Sequence, residues 1–231
     1  PREIAGEKAG IIKPNVPVVI GEYTPETQPV FLAKAEENQA PIYFASDLIS
    51  EVFPSDLIGD YQFHNKKTVQ QTMAVLNAQN EFEVSIENLK AGLLNVSKNT
   101  GLQGRWQQLG ENPKIICDTA HNKHGLAIVM NQIQKETFED LHIVLGVVND
   151  KDLDSILPLF PKKAHYYFCR PDSSRGLATE ILQQSAKKYD LTGEKYSSVG
   201  EAFSTAKRNA SQNDFIYIGG STFVVAELPL N

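Results

Sequence analysis

Residues 118–125, DTAHNKHG, follow directly on the apolar run KIIC and put a carboxylate and two imidazoles at the end of a buried strand. Histidines at i and i+3 beside Cys117 and Asp118 have the atom types of a metal site. The spacing argues against one. Cys117 and Asp118 are adjacent, so on a strand they point to opposite faces, and no second Cys/His cluster completes a tetrahedral set. A transition metal is therefore not expected. The plainer reading is a polar turn that starts a helix, with Asp, Asn or Ser as the cap.

A second chemical signal is GGST (219–222), between an apolar strand and the helix-like TFVVAEL. Two glycines let the backbone approach a ligand, and the free N–H groups of a helix start favour a carboxylate or phosphate. A tight turn capped by Ser221 explains the same residues, and the two readings stand side by side.

The elements that must position these residues alternate regularly. KIICD, LHIVLGVV, HYYFCR, EKYSS and FIYIGG read as strands. GLAIVMNQIQKE, LDSILPLF, GLATEILQQSAKKYD and EAFSTAKRNASQ read as the amphipathic segments between them. Apolar strands separated by helices imply a parallel sheet covered on both faces, a doubly wound α/β domain that binds ligands at the strand carboxyl ends. Asp118 to His124, Asn149 to Asp152, Arg170 to Arg175 and Gly219 to Ser221 all fall at such ends. Helix caps alone do not call for His121, Arg170 and Arg175.

Upstream, VPVVIG (16–21) and IYFA (42–45) read as strands, EIAGEKAGI as a helix end and PVFLAKAEENQ as a helix. Residues 46–60 read as irregular. Val69, Met73 and Leu76, and likewise Ile86, Leu89 and Leu93, recur at helical spacing and are expected to face a core. The polar SKNTGLQG (97–104) marks a boundary, which gives domains 1–100 and 101–231. The net charge of −6 offers no basic field for nucleic acid or an anionic membrane surface. No apolar run is long enough to span a bilayer. Cys117 and Cys169 sit in apolar segments and read as reduced thiols of a cytoplasmic protein. Pro1 falls partway through a helix, so a longer parent protein is expected.

Taken together, the motifs resemble the folylpolyglutamate synthase/dihydrofolate synthase branch of the Mur-type ligases. IAGEKAGIIKPNVPVVIG (4–21) is similar to a signature of that family's central ATPase domain. YQFHN (61–65) is similar to its tyrosine-glutamine-x-x-asparagine segment. GRWQQL…KIICDTAHNKHG (104–125) resembles the motif that opens its C-terminal domain, and LGVVNDKD (145–152) and GGSTFVVAEL (219–228) resemble later segments. The resemblance implies a fold: residues 1–100 as the tail of a P-loop ATPase domain, and 101–231 as a Rossmann-like glutamate-ligase domain with a parallel sheet. It also implies a reaction, the ATP- and Mg²⁺-dependent ligation of L-glutamate to dihydropteroate or a folate through an acyl phosphate. The enzyme is expected to be a cytoplasmic monomer with small-molecule partners.

By the same resemblance Lys8 becomes carbamylated and acts as a metal ligand and catalytic residue. That modification requires a desolvated amine, or one near other cations. In a chain without the Mg²⁺ partners a plain lysine is expected. Asn65 is expected at the adenine, Arg105 at the ATP phosphates and Asp118 at the ribose or nucleotide. His121 and Ser221 are expected at the incoming glutamate, with His121 also catalytic. Asn122 is expected to shape the turn, and His124 to matter least.

Two features depart from the family pattern. Neither GxxxxGK[ST] nor the aspartate-histidine motif that should precede EKAGI occurs in these residues. Read as a C-terminal portion, the chain is expected to be inactive alone and to bind ATP weakly or not at all. The alternatives are a peptidoglycan-precursor Mur ligase, which EKAGIIKP and YQxxN disfavour, and a nucleotide- or amino-acid-binding module without catalysis.

Overall fold

The computed structural model describes residues 2–80 and 83–229. The chain forms two compact units, one of Pro1–Asp56 and Tyr61–Asn99, the other of Leu57–Asp60 and Thr100–Asn231.

The first unit contains α1 (Arg2–Ala9), β1 (Val18–Ile20), α2 (Gln28–Glu37), β2 (Ile42–Phe44), α3 (Ala45–Leu48), α4 (Gln62–Ala78), α5 (Ile86–Leu93) and most of α6 (Val96–Thr100). Pro29 supplies the fixed φ that suits the first turn of α2. Ser85 caps α5 by accepting from the Asn88 N–H at 3.1 Å. β1 and β2 pair in parallel, Val18 opposite Ile42 and Ile20 opposite Phe44. Ala9, Ile12, Ala35 and Ala40 make a small core against them.

Two expectations hold only in part in this unit. Residues 45–48 form a helical turn rather than irregular chain. Of the apolar stripe on α4, Val69 is 40% exposed while Met73 and Leu76 are half-buried, and Gln62, Gln70 and Gln71 are buried as well. The Gln70 amide accepts from the Phe53 N–H at 3.0 Å and donates to the Glu51 carbonyl at 2.9 Å, so it pins residues 51–53. On α5, Ile86 is exposed, Leu89 half-buried and Leu93 buried.

The second unit is a six-stranded sheet of order β3-β4-β8-β5-β6-β7. Its strands are β3 (Gln107–Glu111), β4 (Lys114–Cys117), β5 (Leu141–Leu145), β6 (His165–Phe168), β7 (Gly193–Lys195) and β8 (Phe215–Gly219). Its helices are α7 (Lys123–Ile133), α8 (Leu153–Ile156), α9 (Thr179–Lys187), α10 (Val199–Asn209) and α11 (Thr222–Ala226). β4 to β8 are mutually parallel.

Ile115, Cys117, Val144, Tyr167, Ile216 and Ile218 pack with Val199, Ala202, Phe203 and Ala206 of α10. The alternate residues Ile116, Ile143, Leu145, Tyr166, Phe168 and Tyr217 are buried as well. Strand alternation sends them to the opposite face, so both faces of the sheet are covered. The difference from expectation is β3, an added edge strand antiparallel to β4 whose register slips between Gln108 and Gly110. Residues 57–60 join this unit through α7: Gln132 Oε1 accepts from the Asp60 N–H at 2.8 Å, and Lys135 pairs with Asp60 at 2.6 Å.

At the amino ends of the strands lies a buried polar chain. Asn209 donates to the Tyr167 hydroxyl at 3.2 Å, that hydroxyl lies 2.9 Å from His142 Nδ1, and His142 Nε2 lies 3.2 Å from Asp214. The pattern is satisfied by a neutral imidazole protonated on Nε2, with the tyrosine donating to Nδ1.

Burial lowers the His142 pKa, and the neighbouring His165 lowers it further, against the opposing pull of Asp214 and Asp140. For Asp214, burial raises the pKa, but the Ser211 and Asp140 N–H groups and His142 outweigh it, so the net shift is downward. Both folded-state values lie below the unfolded ones. The stability is therefore present above the unfolded pKa and is lost as pH falls, first through His142 below about pH 6.5 and then through Asp214 below about pH 4. Thermal melts from pH 7.5 down to 5 should show a falling Tm whose slope His142→Gln reduces. A flat profile for the wild-type chain would contradict this.

Candidate active site at the strand carboxyl ends

The loop after β4 is built around Asp118, which is 2% exposed. Its carboxylate accepts the backbone N–H of Trp106 at 2.7 Å and that of Ala120 at 2.7 Å. The first bond ties the start of β3 to the end of β4. Trp106 has φ 51° and Gly104 φ 69°, two left-handed residues in one tight corner. A Cβ on Gly104 would come 2.7 Å from the Thr119 side chain and 2.8 Å from Val225, so the corner takes only glycine there. Thr119 N–H donates to the Gly104 carbonyl at 2.9 Å, and Gly104 N–H donates to Gln107 Oε1 at 2.8 Å. Arg105, partly buried, leaves this corner with its guanidinium donating to the Thr119 hydroxyl.

His121 follows two residues later. Its Nδ1 lies 3.0 Å from the Thr119 carbonyl, which can only accept, so Nδ1 carries a proton, and in the neutral ring the lone pair is on Nε2. Asn122 caps α7 by accepting from the Gly125 N–H at 2.8 Å. His124 is exposed.

The GGST turn resolves largely as packing. A Cβ on Gly219 would meet the Asp118 carbonyl at 2.7 Å, and one on Gly220, whose φ is +90°, the Gly146 carbonyl at 2.7 Å. Both glycines are needed for chain-to-chain contact rather than for ligand approach. Ser221, 2% exposed, accepts from the Phe223 N–H at 3.2 Å as the cap of α11.

His121 and Ser221 nevertheless share one cavity of about 150 Å³, whose walls also include Val148, Lys151, Arg175, Thr222 and Phe223. Lys151 and Arg175 carry the positive charge. Asp150 pairs with the Arg175 guanidinium and lies 3.8 Å from Lys151 Nζ. Burial raises the Asp150 pKa, but the Arg175 hydrogen bond and the Lys151 charge outweigh it, so the carboxyl is held below its ordinary value. The sequence places Lys151 and Arg175 at strand ends; the meeting of two loops on one cavity wall gives them a shared place.

The remaining candidates lie in the first unit. Lys8 is exposed in the last turn of α1 and is not desolvated. Asn65 is exposed on α4, and its Nδ2 donates to Gln62 Oε1 at 2.9 Å. Among the described residues no group of three or more His, Cys, Asp or Glu side chains gathers to hold a metal. Burial pushes the thiols of Cys117 and Cys169 up to about 12, with Asp118 and Glu227 respectively adding to the shift, so both are inert interior groups.

Residues 104–222 match the family described as Mur ligase, glutamate ligase domain. The chain belongs to this family. Over 172 residues, 74% of the chain, it is 30% identical to a probable bifunctional folylpolyglutamate synthase/dihydropteroate synthase of Haloferax volcanii, covering 20% of that protein. It is 26% identical over 98% of its length to the dihydrofolate synthase/folylpolyglutamate synthase of Bacillus subtilis, covering 57% of it. The solved structure of E. coli FolC in complex with DHPP and ADP shares the fold at TM-score 0.79 and 24% identity, over 97% of this chain and 55% of that one. The chain thus spans about half the length of the B. subtilis relative and of the FolC chain, and a fifth of the H. volcanii relative. The matched stretch of this Mur ligase domain runs from Gly104, in the corner that Asp118 braces, to Thr222 beside the Ser221 cap, so it contains His121, Lys151 and Arg175.

Proposed function

We propose that this chain supplies the amino-acid-binding part of an ATP-dependent ligase that joins L-glutamate to dihydropteroate or a folate. The observation that carries the reading is the cavity that His121 and Ser221 share with Lys151 and Arg175, at the strand carboxyl ends of a glutamate ligase domain. In such a reaction ATP converts the acceptor carboxylate to an acyl phosphate, the amine attacks the acyl carbon, and phosphate leaves.

The residues present do the binding and proton work. Lys151 and Arg175 offset the carboxylates of the amino acid, and the Ser221 hydroxyl, while capping α11, keeps its own proton to donate. His121 Nε2, the ring nitrogen left free by the Thr119 carbonyl, accepts the proton that the ammonium must lose before it can attack. Arg105 presents a planar guanidinium suited to phosphate oxygens. Asn65 is assigned to the adenine, Asp118 to the ribose or nucleotide, residues 1–100 to the ATPase domain and 101–231 to the glutamate-ligase domain.

For Mg²⁺ the described residues do not make a site. Lys8 is exposed, and even a carbamate on it would give the ion one protein ligand, where Mg²⁺ takes an octahedral oxygen set. No GxxxxGK[ST] occurs in the 231 residues, so they do not themselves supply that phosphate loop for ATP. No helix among the described residues is long and apolar enough to cross a membrane. Separately, on the family resemblance, we place the protein in the cytoplasm as a monomer.

Calorimetric titration tests the division of labour. L-Glutamate should bind the chain, His121→Ala should weaken that binding about tenfold, and ATP alone should give weak heats or none. Micromolar ATP affinity together with silence toward glutamate would overturn the proposal.

A further inference from the structure

Thr119 joins separate parts of the site through the corner that Asp118 braces. Its N–H donates to the Gly104 carbonyl at 2.9 Å. Its hydroxyl accepts from Nη1 of Arg105, and its carbonyl lies 3.0 Å from Nδ1 of His121. The β3–β4 hairpin explains the meeting. Gln107 lies opposite Cys117, and the same register carried two residues further sets Arg105 opposite Thr119.

Arg105 is held there without losing its charge. Its bonds, to the Thr119 hydroxyl and to the Gly104 carbonyl at 3.4 Å, both use Nη1 and both go to neutral acceptors. Lys114, Lys135 and Arg175 are instead each paired with a carboxylate. Arg105 makes no ion pair among the described residues, so its charge and the Nε and Nη2 donors stay available to an anionic ligand. A long side chain fixed before the ligand arrives also loses less rotamer freedom on binding.

In the proposed reaction the amine attacks an acyl carbon that carries the phosphate. The group that holds the phosphate and the group that takes the amine's proton must therefore keep one separation. A displacement of about 1 Å in such a site costs roughly a hundredfold in rate. Thr119 is bonded to both groups.

We infer that Thr119 is a positioning residue, whose hydroxyl sets the Arg105 guanidinium and whose carbonyl sets the His121 ring, so that the phosphate-facing and amine-facing groups are held in one fixed relation. This rests on the function proposed above, in which Arg105 meets phosphate and His121 the amine.

NMR on the whole chain, labelled at the arginine and histidine nitrogens, tests this with inorganic phosphate as the probe. In the wild-type chain the Arg105 Nε–H should be as rigid as the backbone, and its resonance should shift on phosphate titration. Thr119→Val keeps the methyl group that packs against Gly104 and removes only the hydroxyl. It should set the guanidinium free and weaken phosphate binding by about three- to tenfold. Thr119→Ser keeps the hydroxyl and should stay within about twofold of the wild type. His121 should keep its proton on Nδ1 in all three chains, because the main-chain carbonyl remains. Emission from the lone, buried Trp106 verifies that each variant is folded.

A purely structural role reverses the order, since serine loses the methyl and valine does not. That reversal overturns the inference, as does an Arg105 side chain equally rigid in Thr119→Val, or a His121 tautomer that changes with the variant. No phosphate response at Arg105 in the wild-type chain overturns it together with the assignment of Arg105 to phosphate. L-Glutamate titrated into the same sample separates this from failure of the proposed function. Glutamate binding that His121→Ala weakens leaves that function standing, and silence toward glutamate overturns both.

Discussion

Replacing Asp118 by alanine should destabilise the second unit by about 3–5 kcal/mol, the largest loss expected from a single side chain at the site. Two backbone N–H groups, on Trp106 and Ala120, lose a charged acceptor at 2.7 Å each. The carboxylate is 2% exposed, so water cannot reach in to replace it without opening the corner. The corner also holds Trp106 at a positive φ, a conformation disfavoured for a bulky residue and kept only because its surroundings determine it. Asp118→Asn should fall between the two, because an amide keeps one accepting oxygen and turns an N–H donor toward the other. Denaturant unfolding followed by Trp106 emission reports on this unit alone. If Asp118 served chiefly as a ribose contact, Asp118→Ala would lower nucleotide affinity and leave the unfolding midpoint nearly unchanged.

Gly220→Ala should cost about 2–4 kcal/mol, from the unfavourable φ of +90° together with the overpacking of a methyl group against Gly146 and Leu145. The added Cβ would lie 2.7 Å from the Gly146 carbonyl and 2.6 Å from Leu145 Cδ1. The carbonyl is main chain between two buried strands and has little room to withdraw. Because Ser221 comes next, the shift would also move a cavity wall, and amino-acid binding should weaken in parallel with stability. A variant that melts with the wild-type chain in a thermal scan would show that the glycine is there for another reason.

The sheet was legible because its strands are short, continuous runs of apolar residues, which only a doubly covered parallel sheet needs. β3 was not. QQLGE lacks an apolar alternation, and its place is set by the antiparallel return to β4 and the Asp118 bond. On α4, helical spacing drew attention to Val69, Met73 and Leu76, but spacing cannot say which face a neighbour will cover. Three glutamines of that helix are buried, and one of them satisfies the backbone of residues 51–53.

The strand-end rule brought His121, Ser221, Lys151 and Arg175 to attention, and these side chains do line one cavity. The sequence offered Asp118 as a polar residue after a strand and, by resemblance, as a ribose or nucleotide contact, but not as the brace of the corner. Its bond to Trp106 depends on a chain reversal between residues twelve positions apart, and no local pattern encodes that. The glycines of GGST were ambiguous for a related reason. Their neighbours, Asp118 and Gly146, follow other strands.

The central claim is that the cavity at the strand carboxyl ends holds L-glutamate. A crystal structure of the chain grown with L-glutamate tests it most directly. The account predicts density for the amino acid between His121 and the Lys151–Arg175 wall, with its ammonium toward His121 Nε2. Density confined to another part of the surface, such as the cavity between Lys114 and Asp214 at the opposite ends of the strands, would contradict it, as would an empty cavity at saturating glutamate.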